Sequence, residues 1–259
     1  MKFLMCEPSE FSIEYSINPW MDLENPVDSK HALTQWQILV SNIISSGAKV
    51  KTITQNKTLP DMVFCANAGI VHNNKVVLSN FKHQQRQDEH QEYKAWFEKN
   101  NYEVLTLKNN LKFEGRGDCF VWNDYLIGAY GFRSDKKAIK EVAKLLNLKP
   151  IMLELQDERF YHLDTCMSVL NKQGFGLYYP NAFLKKQIKK LPFNLLSVSE
   201  QDACNFVCNN ICITNRIIMS KASNELLDKL LDKGYSINII NTSEFIKSGG
   251  SARCLVLEI

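Results

Sequence analysis

Near its end the chain runs Ser248-Gly249-Gly250-Ser251-Ala252-Arg253 into a single cysteine, Cys254, and then Leu255-Val256-Leu257. Glycines let the backbone approach a bound group closely, and a thiol where such a turn meets an apolar strand can lie at a pocket floor as a nucleophile. Cys254 is therefore expected to open the last strand. Other polar residues stand where apolar runs are about to begin. Asp61 precedes Met62-Val63-Phe64, Glu114 and Asp118 lie in Phe-Glu-Gly-Arg-Gly-Asp, and His162 and Asp164 lie in Phe-Tyr-His-Leu-Asp-Thr. A thiol, an imidazole and several carboxylates gathered in one place suit nucleophilic attack on a cationic substrate. The carboxylates hold the cation, histidine moves protons, and cysteine carries the covalent intermediate. Each residue also has a plainer reading: Asp61 after Pro60 as a turn residue, Glu114 to Asp118 as a polar loop, His162 as a core histidine satisfied by Asp164, and Cys254 as a small buried side chain.

Other chemistries find less support. Cys204, Cys208 and Cys212 recur every four residues, but they lack a CxxC pair or a fitting histidine and straddle a helix-to-strand boundary, so no metal site is expected. Gly115-Arg116-Gly117 and Gly174-Phe175-Gly176 do not complete a phosphate or dinucleotide fingerprint, so no cofactor is expected either. His31, His72, His83 and His90 fall in helix or turn contexts and receive no role.

The elements that must position these groups follow a rhythm of helix, then strand. Asp28 is the expected N-cap of a helix from about Ser29 to Ser46, with Ala32, Trp36, Leu39 and Ile43 on one face and Gly47 closing it before the strand Lys49 to Thr54. The order recurs from Gln87 to Leu107, from Ser134 to Leu155 and from Ser223 to Ile240, with a weaker copy from Ala182 to Val198. Four hairpins fall between: Met62 to Asn80 turning at Asn73-Asn74, Cys119 to Tyr130 at Asn123-Asp124, Met167 to Tyr179 at Lys172-Gly174, and Ile211 to Ser220 at Asn215. A fifth forms if the strand from Cys254 pairs with Lys2 to Cys6, which also hides two edges. Five units of roughly forty to fifty residues suggest a closed ring with a common centre; an ordinary three-layer α/β sheet is the competing topology.

With 259 residues and 45% hydrophobic content, and with no linker or abrupt compositional shift, the chain reads as one globular domain, residues 1–259. A net charge of +3 spread along the sequence proposes neither a nucleic-acid nor a membrane partner, and self-association is left open. Eight irregularly spaced cysteines fit a reducing compartment, and the short apolar run Phe3 to Cys6 is too short for a signal peptide or a membrane span. A soluble, cytoplasmic protein is expected.

Taken together, Ile-Asn-Pro-Trp-Met (17–21), Asp-Met-Val-Phe-Cys-Ala-Asn-Ala-Gly (61–69), the motifs at 113–118 and 159–165, Tyr-Gly-Phe-Arg-Ser (130–134) and Gly-Gly-Ser-Ala-Arg-Cys-Leu (249–255) resemble the guanidine-modifying, or pentein, superfamily. The resemblance is strongest to the catalytic domain of cyanobacterial arginine dihydrolases. It implies a five-bladed pseudosymmetric α/β propeller and a cofactor-free hydrolase taking L-arginine to ornithine, carbon dioxide and ammonia. Dimethylarginine hydrolase, arginine deiminase, amidinotransferase and non-catalytic ring proteins are the alternatives. On this resemblance Cys254 is the nucleophile and His162 the general acid and base. Glu114 holds the guanidinium with Asp61, and Asp164 or Asp118 orients the histidine. Asn18, Asn67, Arg86 and Arg133 match substrate-binding positions, and the arginines suit an α-carboxylate. Asn67, where deiminases are acidic, implies a second hydrolysis beyond citrulline. Cys254 is expected to be activated when the cationic substrate arrives. Cys65 stands where relatives often have threonine, which bears on fine substrate preference. Because the sequence stops at Ile259, no ornithine-cyclising step is assigned to it.

Overall fold

In the computed structural model, which describes residues 1–108, 110–171 and 174–259, the repeat resolves into five three-stranded sheets. In chain order the strands are β1 (Lys2–Cys6), β2 (Lys49–Ile53), β3 (Gly69–His72), β4 (Lys75–Leu78), β5 (Glu103–Leu105), β6 (Cys119–Trp122), β7 (Tyr125–Tyr130), β8 (Lys149–Glu154), β9 (Met167–Asn171), β10 (Phe175–Tyr178), β11 (Asn194–Ser197), β12 (Ile211–Ile213), β13 (Arg216–Met219), β14 (Ser236–Ile239) and β15 (Leu257–Glu258). Every sheet has the same plan. An antiparallel hairpin is followed by a helix, and the next strand returns parallel to the second strand of the hairpin, as in β3-β4-β5 and β6-β7-β8. The first unit is completed from both ends of the sequence, β15 pairing antiparallel with β1 and β2 parallel with it.

Local chemistry sets these elements. Asp28 accepts hydrogen bonds from the backbone N–H of Lys30 and His31 and caps the helix Ser29–Ser45, whose inward face is Ala32, Gln35, Trp36, Leu39 and Ile43. Ser223 caps Asn224–Asp232 in the same way through the Leu226 N–H; losing such a cap costs about 1 kcal/mol. Asn73, Asn74 and Asn123 adopt positive φ, which asparagine tolerates better than most residues and which a two-residue hairpin turn requires. The turn expected at Lys172-Gly174 falls partly outside the described residues. The weaker copy is shorter than expected: a single turn, Lys185–Ile188, precedes β11.

The core closes the five sheets into a ring. One cluster joins Leu4 and Leu257 of the first unit to Val76 and Leu78 of the second, and another joins Ile70 and Val77 to Cys119 and Leu126 of the third. A large one runs from Phe120 and Ile127 through Leu177 to Ile217 of the fifth. The last returns from Ile211 and Ile218 to Phe3, Met5 and Val256. Each boundary between neighbouring sheets is thus sealed by buried apolar side chains, at roughly 25 cal/mol per Å2 removed from water. This is the expected five-unit α/β propeller and not a three-layer sheet. Among the described residues no helix is long and apolar enough to cross a membrane.

Two expected boundaries move. Met62 to Ala68 is not strand but two tight turns, Pro60–Val63 and Cys65–Ala68, leading into β3. Cys254 does not open the last strand either: it lies in a turn, and pairing begins only at Leu257.

Candidate active site

In each unit a tight turn lies immediately upstream of the first strand of the hairpin, and all five turns carry polar residues toward the ring axis. They hold Asp61 and Asn67 before β3, Glu114 and Asp118 before β6, His162 and Asp164 before β9, Asn209 before β12, and Cys254 before β15. All of these side chains are almost completely buried. A small cavity at the front of the ring is lined by Asp61, Asn67, Arg86, Arg133, His162 and Cys254, with Ile17, Met21, Phe64 and the Ser248–Gly250 turn among its remaining walls. Its volume of about 10 Å3 is room for about one water.

The sulfur of Cys254 is held from two sides. Asp164 lies 3.7 Å away through both carboxylate oxygens, and Asn209 Nδ2 donates to Sγ at 3.1 Å. The same amide nitrogen donates to the Asp164 carbonyl at 3.0 Å. Asn209 Oδ1 collects the backbone N–H of Ser251, Arg253 and Cys254 at 3.0, 3.0 and 3.1 Å. Those N–H groups are therefore committed to a side chain and not to a strand ladder, which is why Cys254 sits in a turn. Burial, and after it the Asp164 carboxylate, push the thiol well above the ordinary cysteine range, so it is neutral at rest. Burial also raises Asp164, to about 7, against the pull of Arg116 and Arg253.

His162 Nε2 meets Glu114 Oε2 at 2.8 Å, the same oxygen that accepts Arg133 Nη1 at 3.0 Å. Burial would raise Glu114, but Arg133 and His162 outweigh it and hold the carboxyl well below its usual range. Burial lowers His162 to about 4 even though Glu114 opposes it, so the imidazole is neutral at pH 7. Gly117 is required by close approach, since a Cβ there would run into Asn67 Nδ2. Gly249 has φ +79, and a Cβ on it would lie 2.8 Å from the Tyr161 hydroxyl.

The carboxylates divide differently from expectation. Glu114 stands behind His162, outside the cavity lining, and takes the place on the histidine that was expected for Asp164 or Asp118. Asp164 lies against the sulfur. Asp118 accepts the Ser134 hydroxyl at 2.6 Å, and Ser134 Oγ accepts the Glu114 N–H at 2.9 Å, so it supports the Glu114 turn from behind. Asp61 alone of the four lines the cavity. Its Oδ2 accepts the Tyr15 hydroxyl at 2.8 Å, while its buried Oδ1 has no hydrogen-bond partner among the described residues.

Arg86 is not free to clasp a carboxylate with its fork. Nε and Nη2 are closed on Glu89 at 2.7 and 2.9 Å, while Nη1 donates to Asn67 Oδ1 at 3.0 Å and Nη2 to the Asp61 carbonyl at 3.1 Å. Arg86 thus orients Asn67 and the Asp61 turn. Arg133 also donates from Nη2 to the Ile17 carbonyl at 2.9 Å and lies over the Tyr161 ring. Asn18 gives Nδ2 to the Ser248 carbonyl at 3.1 Å and accepts the Trp20 N–H through Oδ1 at 2.9 Å, so it ties the segment Tyr15–Met21 over the cavity to the glycine turn. Cys65 points away, its sulfur accepting the Tyr93 hydroxyl at 3.4 Å. All eight cysteines are free thiols. Among the described residues no group of three or more His, Cys, Asp and Glu side chains is arranged to hold a metal ion.

Asn209 was missed by the sequence reading. Its signal was the repeat itself: the hairpin from Ile211 was the one whose upstream turn was left without a polar residue, and Asn209 stands there.

A ring of five such units with these turns at its front is the architecture of the guanidine-modifying, or pentein, class. The family model described as N,N dimethylarginine dimethylhydrolase, eukaryotic, matches residues 7–259, and the chain belongs to that family. It is 40% identical over 267 residues to the bifunctional arginine dihydrolase/ornithine cyclodeaminase AgrE of Nostoc sp., an alignment that covers all of this chain and 38% of AgrE. The chain therefore spans about two-fifths of the length of that relative. It is 34% identical over 261 residues to the N(G),N(G)-dimethylarginine dimethylaminohydrolase of Mycobacterium tuberculosis, covering all of this chain and 85% of that protein. The crystal structure of the N-terminal domain of ArgZ, an arginine dihydrolase from cyanobacteria, bound to substrate, is similar at TM-score 0.93 and 40% identity, over 99% of this chain and 97% of that one.

Proposed function

We propose that this chain is a cofactor-free hydrolase of free L-arginine that gives ornithine, carbon dioxide and ammonia, working in the cytoplasm as one catalytic domain. The observation that carries the reading is the pairing of an attackable thiol with an unsatisfied carboxylate in one small cavity. Cys254 lies on one wall, and buried Asp61 Oδ1 on another lacks a donor, which an unsubstituted guanidinium N–H supplies. The 40% identity to AgrE and ArgZ supports arginine as the substrate.

The geometry suggests a sequence of steps. A guanidinium bound beside Asp61 brings a positive charge that favours ionisation of Cys254 against its burial and the Asp164 carboxylate. The thiol proton passes to neutral His162, and the ionised Glu114 stabilises the imidazolium that forms. Sγ attacks the guanidinium carbon, the imidazolium returns the proton to the departing nitrogen, and ammonia leaves an S-alkylthiouronium. His162 then takes a proton from water, which adds to that carbon; the C–S bond breaks and citrulline forms. A second attack and hydrolysis on the ureido group gives ornithine, carbon dioxide and a second ammonia. Asn67, neutral and held by Arg86, can hydrogen-bond a neutral ureido group that a carboxylate would not favour.

A second reading, hydrolysis of asymmetric dimethylarginine, draws on the family description and on the apolar Ile17, Met21 and Phe64 in the cavity wall, which suit two methyl groups. A product assay separates the two. Purified protein with L-arginine is expected to release ornithine and about two ammonia per arginine, and Cys254→Ser none. Citrulline alone from arginine counts against the second hydrolysis. Turnover of dimethylarginine with none of arginine overturns the first reading in favour of the second.

A further inference from the structure

Two of the turns that carry cavity residues also carry an arginine that the proposed reaction does not use. Arg116 sits between Glu114 and Asp118, and Arg253 immediately precedes Cys254. Neither lines the front cavity. Arg116 instead lines an open cleft of about 680 Å3, which the Asn73-Asn74 and Asn123 hairpin turns and the chain end from Leu257 to Ile259 also border. The cleft lies on the face of the ring where the hairpins turn, opposite the turns that lead into them.

The bonding of these two guanidinium groups is incomplete. Among the described residues Arg116 makes no hydrogen bond or ion pair, and its only contact of that kind is the face of the Phe120 ring, 5.3 Å from the guanidinium carbon to the ring centroid. Arg253 is 5% exposed, and its Nε and Nη2 have no hydrogen-bond partner. Its nearest anion is Glu258, with Oε2 3.8 Å from Nη2, too long for a hydrogen bond. The Glu258 side chain is half exposed and free to swing into solvent from the cleft it lines. The buried Arg253 donors without acceptors are costly, and the half-buried Arg116 guanidinium beside them is repelled as well. Burial and the Arg253 charge accordingly lower Arg116. Asp164 offsets part of this from the front, but its carboxylate is turned to the Cys254 sulfur.

We propose that this rear cleft is an anion site that takes a small multivalent oxyanion, a phosphate or a dicarboxylate, on the Arg116 guanidinium, with the buried Arg253 supplying further positive charge behind it. Planar guanidinium forks match the paired oxygens of such ligands, and Glu258 at the rim gives way to an incoming anion. The site is separate from the front cavity, so the proposal does not depend on which guanidino substrate the front takes.

The test uses the full chain with inorganic phosphate in one arm and succinate in the other, with binding followed by calorimetry and by the rise of Tm with ligand concentration, which mass action requires. Saturable binding of at least one probe is expected for the wild type and for Cys254→Ser alike. Arg116→Gln is expected to bind at least tenfold more weakly, and Arg116→Lys to fall between. If Arg116→Gln is poorly folded, Glu258→Gln serves in its place and is expected to bind more tightly than wild type. Phosphate alone or succinate alone identifies the oxyanion. No saturable binding of either probe overturns the proposal, as does equal affinity in wild type and a folded Arg116→Gln, or loss of binding in Cys254→Ser.

Discussion

Asn209 is the residue whose replacement tests how the nucleophile is held. Truncation to alanine is a poor instrument, because it strands the buried N–H groups of Ser251 and Cys254 at about 1–3 kcal/mol each, a large part of the roughly 5–15 kcal/mol that keeps a domain folded; the Arg253 N–H keeps the Asn209 carbonyl. Asn209→Asp keeps an acceptor for the N–H groups of Ser251, Arg253 and Cys254, but it removes the donor that reaches Sγ at 3.1 Å and puts an oxygen in its place. A hydrogen bond to a charged partner contributes about 1.5–3 kcal/mol, and each 1.4 kcal/mol is a factor of ten. Without it the Cys254 thiolate is expected to be roughly ten- to a hundredfold scarcer at any given pH. The assay is iodoacetamide alkylation of the Cys254 peptide, read by mass spectrometry from pH 8 upward without substrate, so it is independent of which reaction the protein performs. Wild-type alkylation is expected to be slow and to rise with pH, and the Asn209→Asp line to run parallel to it and ten- to a hundredfold below. Equal rates in a variant that circular dichroism shows to be folded would refute the argument that this amide stabilises the thiolate.

Two further outcomes follow from the same site. Asp164 has its pKa raised from 3.8 to about 7, so its protonated form contributes stability that is fully present below the unfolded value and lost as pH rises through about 7, a difference of roughly 4 kcal/mol. Asp164→Asn lacks that loss, so its Tm should gain on the wild type from pH 4 to about 7 and then hold a constant lead; parallel Tm profiles would show that the carboxyl is not perturbed. Asn67→Asp retains the acceptor for Arg86 Nη1 but brings a charge beside Asp61, and is expected to shift the product from ornithine toward citrulline. An unchanged product ratio under saturating arginine would remove Asn67 from the control of the second hydrolysis.

The sequence carries the ring more fully than the site. Capping residues such as Asp28 and Ser223 and hairpin asparagines such as Asn73 act within a few residues of themselves, so the helices and turns they govern are readable locally. The polar residues upstream of each hairpin were also legible as a set, but their partners were not. Arg86 and Arg133 read equally well as carboxylate clamps until burial shows one fork closed on Glu89 and the other guanidinium shared between Glu114 and a carbonyl. Glu114 took the place on the histidine expected for Asp164 or Asp118 for the same reason: which carboxylate meets the histidine depends on how two units pack. The apolar run after Cys254 looks like strand, and only the distant Asn209 diverts its N–H groups.

The segment Tyr15–Met21 gives the cavity a door whose latches are groups of the site itself. Tyr15 closes on Asp61, the Ile17 carbonyl on Arg133, and Asn18 on the glycine turn beside Cys254. Arginine, the proposed substrate, is too large for about 10 Å3, so the door must yield to admit it, and its guanidinium takes Asp61 Oδ1 while the Tyr15 hydroxyl holds Oδ2. For a reaction of two successive hydrolyses this makes the latch a clock. If the proposed reaction holds, citrulline leaves or is cleaved according to whether the door reopens before the second attack, and the stoichiometry of ammonia is then set partly by a segment that carries none of the reacting atoms.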